Sequence, residues 1–252
     1  MEDELPASSR SASPELAYLQ LLHLADSAFP IGALAHSFGI ESMVSAGLLA
    51  TPDLEIFLRG YLEEAGVVEA VFCREAVRLA REAPSNFPSA RWRELNDQLA
   101  ALKPAREARA GSAALGRNFL RAVLALGEFN FFRQALEATE DVARPESFDY
   151  RSSVIEHSPA FGLVGGALHF AEDSVVLAYL HQFVASSVSA FQRLLPLGQT
   201  QATRILWNLK PTIIEAASRS AELSLDNLSS FTPLLDWGAM EHPALSTRLF
   251  IS

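Results

Sequence analysis

The sequence is almost without cysteine. Cys73 stands alone among 252 residues, which excludes an intrachain disulfide framework and any CxxC-type metal or redox site. Its neighbours Val71, Phe72 and Ala76 make it a small buried hydrophobe and not a reactive thiol. Positive charge is also scarce: 20 Lys and Arg stand against 30 Asp and Glu, a formal net charge of −10. Nucleic acid and anionic membranes are thereby disfavoured as partners, since phosphate binding needs clustered cations. A partner with basic patches suits the chain better. No secretory signal is visible; residues 1–14 are polar, lack an apolar h-region and are expected to form a flexible N-terminal tail. An unbroken membrane-length apolar run is missing too. The most apolar stretch, 160–191, is interrupted by His169, Glu172, Asp173, His181 and Gln182, and reads as a buried helix pair. A cytoplasmic location is expected.

Catalytic and cofactor motifs are absent as well. There is no GxxxxGK[ST] loop to cradle phosphates, no GxGxxG after a strand, no GxSxG elbow and no HExxH. The six histidines (His23, His36, His157, His169, His181 and His242) include no i, i+3 or i, i+4 pair, the spacing a helix-borne metal site usually needs. The adjacent acids Glu63-Glu64 and Glu172-Asp173 point apart on a helix and make poor acid/base dyads. Glu172 and Asp173 are expected to decorate a helix N-terminus instead. Asp26, Ser27 and His36 have the residue types of a catalytic triad, but nothing in their spacing unites them. No enzyme activity, cofactor or metal is expected.

What is present is apolar material at helical spacing. Hydrophobic residues make up 49% of the chain and charged residues 20%, ample for a sizeable core. Leu16, Leu19, Leu22 and Leu24 form a first stripe, ended by the Phe29-Pro30-Ile31-Gly32 break. A short helix over 37–46 stops at Gly47. Thr51-Pro52-Asp53 reads as N-cap, first helical residue and dipole-favoured acid. Leu54, Phe57, Leu58, Tyr61 and Leu62 continue that helix. Further helices are expected over 92–102, 105–126, 129–140, 159–170, 173–195 and 199–221, with a polar connection over 141–158. Pro211 should kink or divide the last of these. Gly162 and Gly166, four apart, allow another backbone to come close. With no period-2 alternation and no fixed internal repeat, the expectation is all-α: a single-domain bundle of roughly eight to ten helices, its body spanning 15–235.

Two segments do not fit a plain bundle. Residues 29–41 are irregular, with polar groups set among apolar ones. The sequence then closes on Ser246-Thr247-Arg248-Leu249-Phe250-Ile251-Ser252, apolar where chain ends are usually polar. Such an ending either docks on its own core or orders on a partner, with Leu249 and Phe250 as anchors and Arg248 as a charged clasp.

Four motifs in order resemble the urease accessory protein family UreF. Its opening pattern, similar to LLxLxxxxxPxGGxxxSxGLExxVxxG, is met by Leu21-Leu22-His23-Leu24, Pro30-Ile31-Gly32, Ser37-Phe38-Gly39-Ile40-Glu41, Val44 and Gly47. Residues 106–117, from Arg106-Glu107-Ala108-Arg109 through Ser112 to Gly116, resemble RExRxxSxxMG. His157-Ser158-Pro159-Ala160-Phe161-Gly162 and 195–200 form the third, and Arg248-Leu249-Phe250 with Ser252 the fourth. The chain departs from the pattern at Ala33, Leu34 and Leu115.

The resemblance implies an all-α homodimer, without a cofactor of its own, that acts in nickel insertion into apo-urease. It would bridge the accessory protein UreD (UreH in some systems) and the GTPase UreG, coupling GTP hydrolysis to metal delivery. Arg248, Leu249, Phe250 and Ser252 fall on the UreD side, within a partner-binding tail over 236–252. His36, Ser37, Gly39 and Glu41 fall on the UreG side. Two alternatives stay open: an arginine finger supplied in trans, with Arg106, Arg109 or Arg117 as donor, and a direct nickel-binding chaperone.

Overall fold

The computed structural model describes residues 13–83, 86–140 and 154–252. Most of the tail expected over 1–14, positions 84 and 85 of the proline-rich break, and 141–153 of the polar connection lie outside these residues. Among the described residues every regular element is helical. In chain order these are α1 (Pro14–Leu24), α2 (Ile40–Ser45), α3 (Leu54–Tyr61), α4 (Val67–Glu82), α5 (Ser89–Ala101) and α6 (Arg106–Leu124). They continue with α7 (Asn130–Glu140), α8 (His157–Ala167), α9 (Glu172–Leu194), α10 (Gln199–Asn208), α11 (Lys210–Glu222) and α12 (Pro233–Glu241).

Local chemistry explains the boundaries. Ser13 caps α1, its hydroxyl accepting the Leu16 N–H, and Pro14 occupies the first position, where its missing donor costs nothing. A π-helical turn, Leu62–Gly66, joins α3 to α4 without a break in direction. Pro211, the second residue of α11, divides the last long helix from α10 at Leu209. With these two divided helices each counted once, ten helices among the described residues form one all-α body.

The centre of that body is α8 packed on α4. Gly162 and Gly166 face the carbonyls of Cys73 and Val77, and a Cβ at either position would collide with α4 backbone. The same core holds Phe72, Phe119, Phe161 and Phe191, all fully buried. Trp92 joins them, its indole N–H donating to the Ala135 carbonyl at 3.1 Å. Leu180, Val184, Val188 and Phe191 of α9 face inward, with Tyr179 widening the stripe. Although α9 is long and apolar enough to cross a membrane by length and composition, it lies in this core. Glu172 and Asp173 head α9 and grip the buried Arg74 of α4 at 2.7 and 2.8 Å, while Arg74 also donates to the Ala217 carbonyl of α11.

Four expectations are corrected. The α1 stripe is turned outward: Leu16, Leu19 and Leu22 are exposed, Leu19 by 61%, while Leu21 and Leu24 face the core. Both faces of α1 are apolar, so periodicity alone could not choose between them. Helix α2 begins at Ile40 and not at Ser37, because Phe38 and Gly39 adopt positive φ. Thr51 is not an N-cap; the Asp53 carboxylate instead accepts the Ala50 N–H at 3.1 Å across a 3-10 turn. The end of the polar connection is core, with Ile155, Glu156 and Ser158 buried, because Glu156 meets Lys103 there.

Candidate functional site

Two left-handed residues set up the site. Phe38 (φ 50°) and Gly39 (φ 92°) turn the chain sharply between a 3-10 turn, Ala33–Ala35, and α2. Gly39 is required at this bend, since a Cβ would stand 2.6 Å from the Leu235 carbonyl oxygen of α12. The turn places Glu41 in the first turn of α2 with its carboxylate inward and only 6% of the residue exposed.

A buried carboxylate needs donors, and Glu41 finds them on the last residues of the sequence. The Leu249 N–H donates to Oε1 at 2.6 Å, and the Phe250 N–H to Oε2 at 3.1 Å. Oε2 also lies 2.9 Å from Nε2 of the fully buried His242, directly after α12. The other imidazole nitrogen, Nδ1, lies 2.6 Å from Oε2 of Glu107 on α6. Arg248 donates to the remaining Glu107 oxygen at 3.3 Å. The chain from Arg248 to Ser252 is thus held at both of its first peptide groups and by its flanking guanidinium.

Further along, the Ile251 N–H donates to the Ala35 carbonyl at 2.8 Å. The Ser252 carbonyl accepts from the N–H groups of Ser37 and Phe38, and its hydroxyl meets His36 Nδ1 at 2.7 Å. Burial holds the His36 imidazole below the usual histidine range. Phe250 is buried beneath the Arg193 guanidinium of α9, 4.2 Å from the ring centroid. Gly111 of α6 makes room for this ending, since a Cβ there would lie 2.6 Å from the Ser252 hydroxyl.

The two groups of residues singled out in the sequence therefore meet. His36, Ser37, Gly39 and Glu41 line the seat; Phe250 and Ser252 fill it. Ser37, Gly39 and Glu41 are buried, whereas Arg248, Leu249 and Ile251 face outward, Ile251 by 68%. Sequence reasoning missed His242, Glu107 and Arg193. His242 meets Glu107 and Glu41 across 135 and 201 residues of chain, and no local pattern signals such contacts. Of the arginines considered as finger donors, Arg109 donates to the Lys103 and Pro104 carbonyls.

A second polar cluster lies deeper, beside a cavity of about 110 Å³ lined in part by Phe38, Lys103, His157 and Tyr179. Lys103 bridges Glu69 at 2.9 Å and Glu156 at 2.8 Å, and Glu69 also accepts from Ser158 and Tyr179. Burial works to raise Glu69, but Lys103 and these hydrogen bonds hold it below the usual carboxylate range. Burial raises Glu156 against the pull of Lys103. The same environment pushes His157 down to about 4, and its Nε2 has no hydrogen-bond partner. This cluster ties α4, the turn after α5, the start of α8 and α9 together. Among the described residues, no group of three or more His, Cys, Asp or Glu is arranged to hold a metal ion.

Among the described residues the body is helical and folds part of its own chain into a polar seat, with apolar side chains left outside. The family model described as UreF matches residues 50–210. The urease accessory protein UreF of Rhodopseudomonas palustris (strain BisA53) is 31% identical over 254 residues, covering all of both chains. That of Bradyrhizobium sp. (strain BTAi1 / ATCC BAA-1182) is 33% identical over 231 residues, 89% of this chain and 88% of the relative. The corresponding protein of Microcystis aeruginosa is 28% identical over 241 residues, 93% of this chain and 97% of the relative. The chain belongs to the UreF family of urease accessory proteins.

Proposed function

We propose that this chain is a cytoplasmic, non-catalytic adaptor that brings UreD (or UreH) and the GTPase UreG together on apo-urease, coupling GTP hydrolysis to delivery of nickel as cargo. The observation that carries this reading is the seat itself. One carboxylate, Glu41, joins the 36–41 loop to the 248–252 segment, so a partner on either feels the other.

On the UreD side we place Arg248, Leu249, Phe250 and Ser252. Phe250 and Ser252 anchor the segment, while Arg248 and Leu249 reach outward. Leu234, Trp237 and Met240 continue this apolar surface at i, i+3, i+6 along α12, the composition expected of an interface core. On the UreG side we place the loop bearing His36, Ser37, Gly39 and Glu41. Its buried members act by shaping the surface and linking it to the segment. The outward face of α1, with Leu16, Tyr18, Leu19 and Leu22, suits a homodimer contact.

Capture assays with purified UreD-type and UreG-type partners test the reading. Deleting residues 248–252 should reduce UreD capture at least tenfold while the helical circular dichroism is kept. Undiminished capture by the truncated chain would overturn the assignment.

A further inference from the structure

The environment of His242 holds more than a hydrogen-bond pattern. Its two ring nitrogens lie 2.9 Å from Glu41 Oε2 and 2.6 Å from Glu107 Oε2. An ionised carboxylate only accepts, and a neutral imidazole carries a single N–H. Two carboxylates and a neutral imidazole therefore leave one of these contacts with no hydrogen in it, two lone pairs facing each other at the fully buried His242. One additional proton removes that conflict, on the imidazole or on one of the carboxyls.

We infer that Glu41, His242 and Glu107 together form a proton-binding site whose occupancy holds the 248–252 segment on the body. Both carboxylates are tied to the segment: Glu41 accepts the Leu249 and Phe250 N–H groups, and Glu107 accepts from Arg248. Loss of the shared proton sets His242 against one of them whichever nitrogen keeps its hydrogen. The weakened arm is in either case one that grips the segment. The charges close at neutrality in the protonated form, with Glu41 and Glu107 balanced by the imidazolium and Arg248.

The other charged groups nearby do not supply the missing hydrogen. Arg193 of α9 is committed to the Leu34 and Leu249 carbonyls and the Phe250 ring. His36 is engaged with the Ser252 hydroxyl. Burial holds its imidazole below the usual range, so its contribution to docking runs the opposite way with pH. Arg106 of α6 lines the adjoining groove with Glu107, and Glu241 precedes His242 on the exposed side of α12.

Docking takes up a proton wherever the undocked cluster does not already hold it. Raising the pH therefore releases the segment, and the docking constant falls by up to about tenfold per pH unit. Docking of the chain on its own body is at issue, so the outcome does not depend on which partner the segment meets.

Amide hydrogen exchange of the full chain reads the effect. Protection of Leu249, Phe250 and Ile251, divided by the intrinsic exchange rate at each pH, should fall as pH rises. Core amides of α4 and α8 serve as the reference for folding. The decisive variant is Glu107→Gln. A glutamine can donate from Nε2 to His242 Nδ1 and accept Arg248 on Oε1, so a neutral imidazole satisfies both sides. The segment should stay docked, and the fall in its protection with rising pH should disappear. His242→Gln should dock more weakly and likewise show no fall in protection as pH rises. A flat profile in the native chain, or the native slope persisting in Glu107→Gln, would overturn the inference.

Discussion

Glu41 accepts two backbone N–H groups from a segment more than 200 residues distant while lying almost wholly out of water. Charge-assisted bonds of this kind are the stronger ones. Removing one member of such a buried set strands the others. Glu41→Ala should therefore weaken seating of 248–252 by roughly 3 kcal/mol, close to a hundredfold loss of protection at Leu249 and Phe250, with the helices intact. Unchanged protection in that variant would show that the segment is held by Phe250 alone. His157 makes a different statement. Burial pushes it down to about 4 from an ordinary 6.5, so the folded state resists its protonation. Its depressed value contributes stability that is present above about pH 6.5 and is lost as pH falls toward 4, about 3 kcal/mol in all. Urea midpoints at neutral and acid pH should separate by more in the native chain than in His157→Gln.

At the scale of elements, the α4–α8 contact is the one most sensitive to side-chain size. Gly162 and Gly166 let the α4 carbonyls approach where no Cβ fits. Gly166→Val should destabilise the fold by roughly 3 kcal/mol through forced separation of the two helices. A thermal melt measures it, and a midpoint within a degree or two of the native value would show that α8 shifts freely. This contact was legible as a spacing of two glycines, though the helix they would meet was not. Pro211 likewise announced a division, which falls at Leu209. The outward turn of Leu16, Leu19 and Leu22 was not legible, because hydrophobic periodicity reports an apolar face without saying what covers it.

For the whole molecule, that uncovered face of α1 carries a prediction of its own. If two copies meet there, Leu19→Arg should halve the mass seen by sedimentation while leaving the thermal midpoint of the monomer fold unchanged, since Leu19 contributes little to its own core. A native chain that already sediments as a monomer would remove α1 as the contact. The acidic charge of −10 is compatible with either state and bears instead on solubility and on partners of opposite sign.

Helical class, the approximate run of the elements and the family were all readable from the chain, because each rests on neighbours within a few turns or on ordered short motifs. Cap residues, proline positions and apolar spacing act locally, and local energies suffice to set them. The candidate site was readable only in its parts: Ser37, Gly39 and Glu41 stood in one motif and Arg248, Leu249 and Phe250 in another. That these parts are a single seat, and that His242, Glu107 and Arg193 complete it, was decided by tertiary structure alone. Buried charges must find partners wherever the fold brings them. The partner of Glu41 is chosen by how α2, α6 and α12 pack, not by anything near it in the chain.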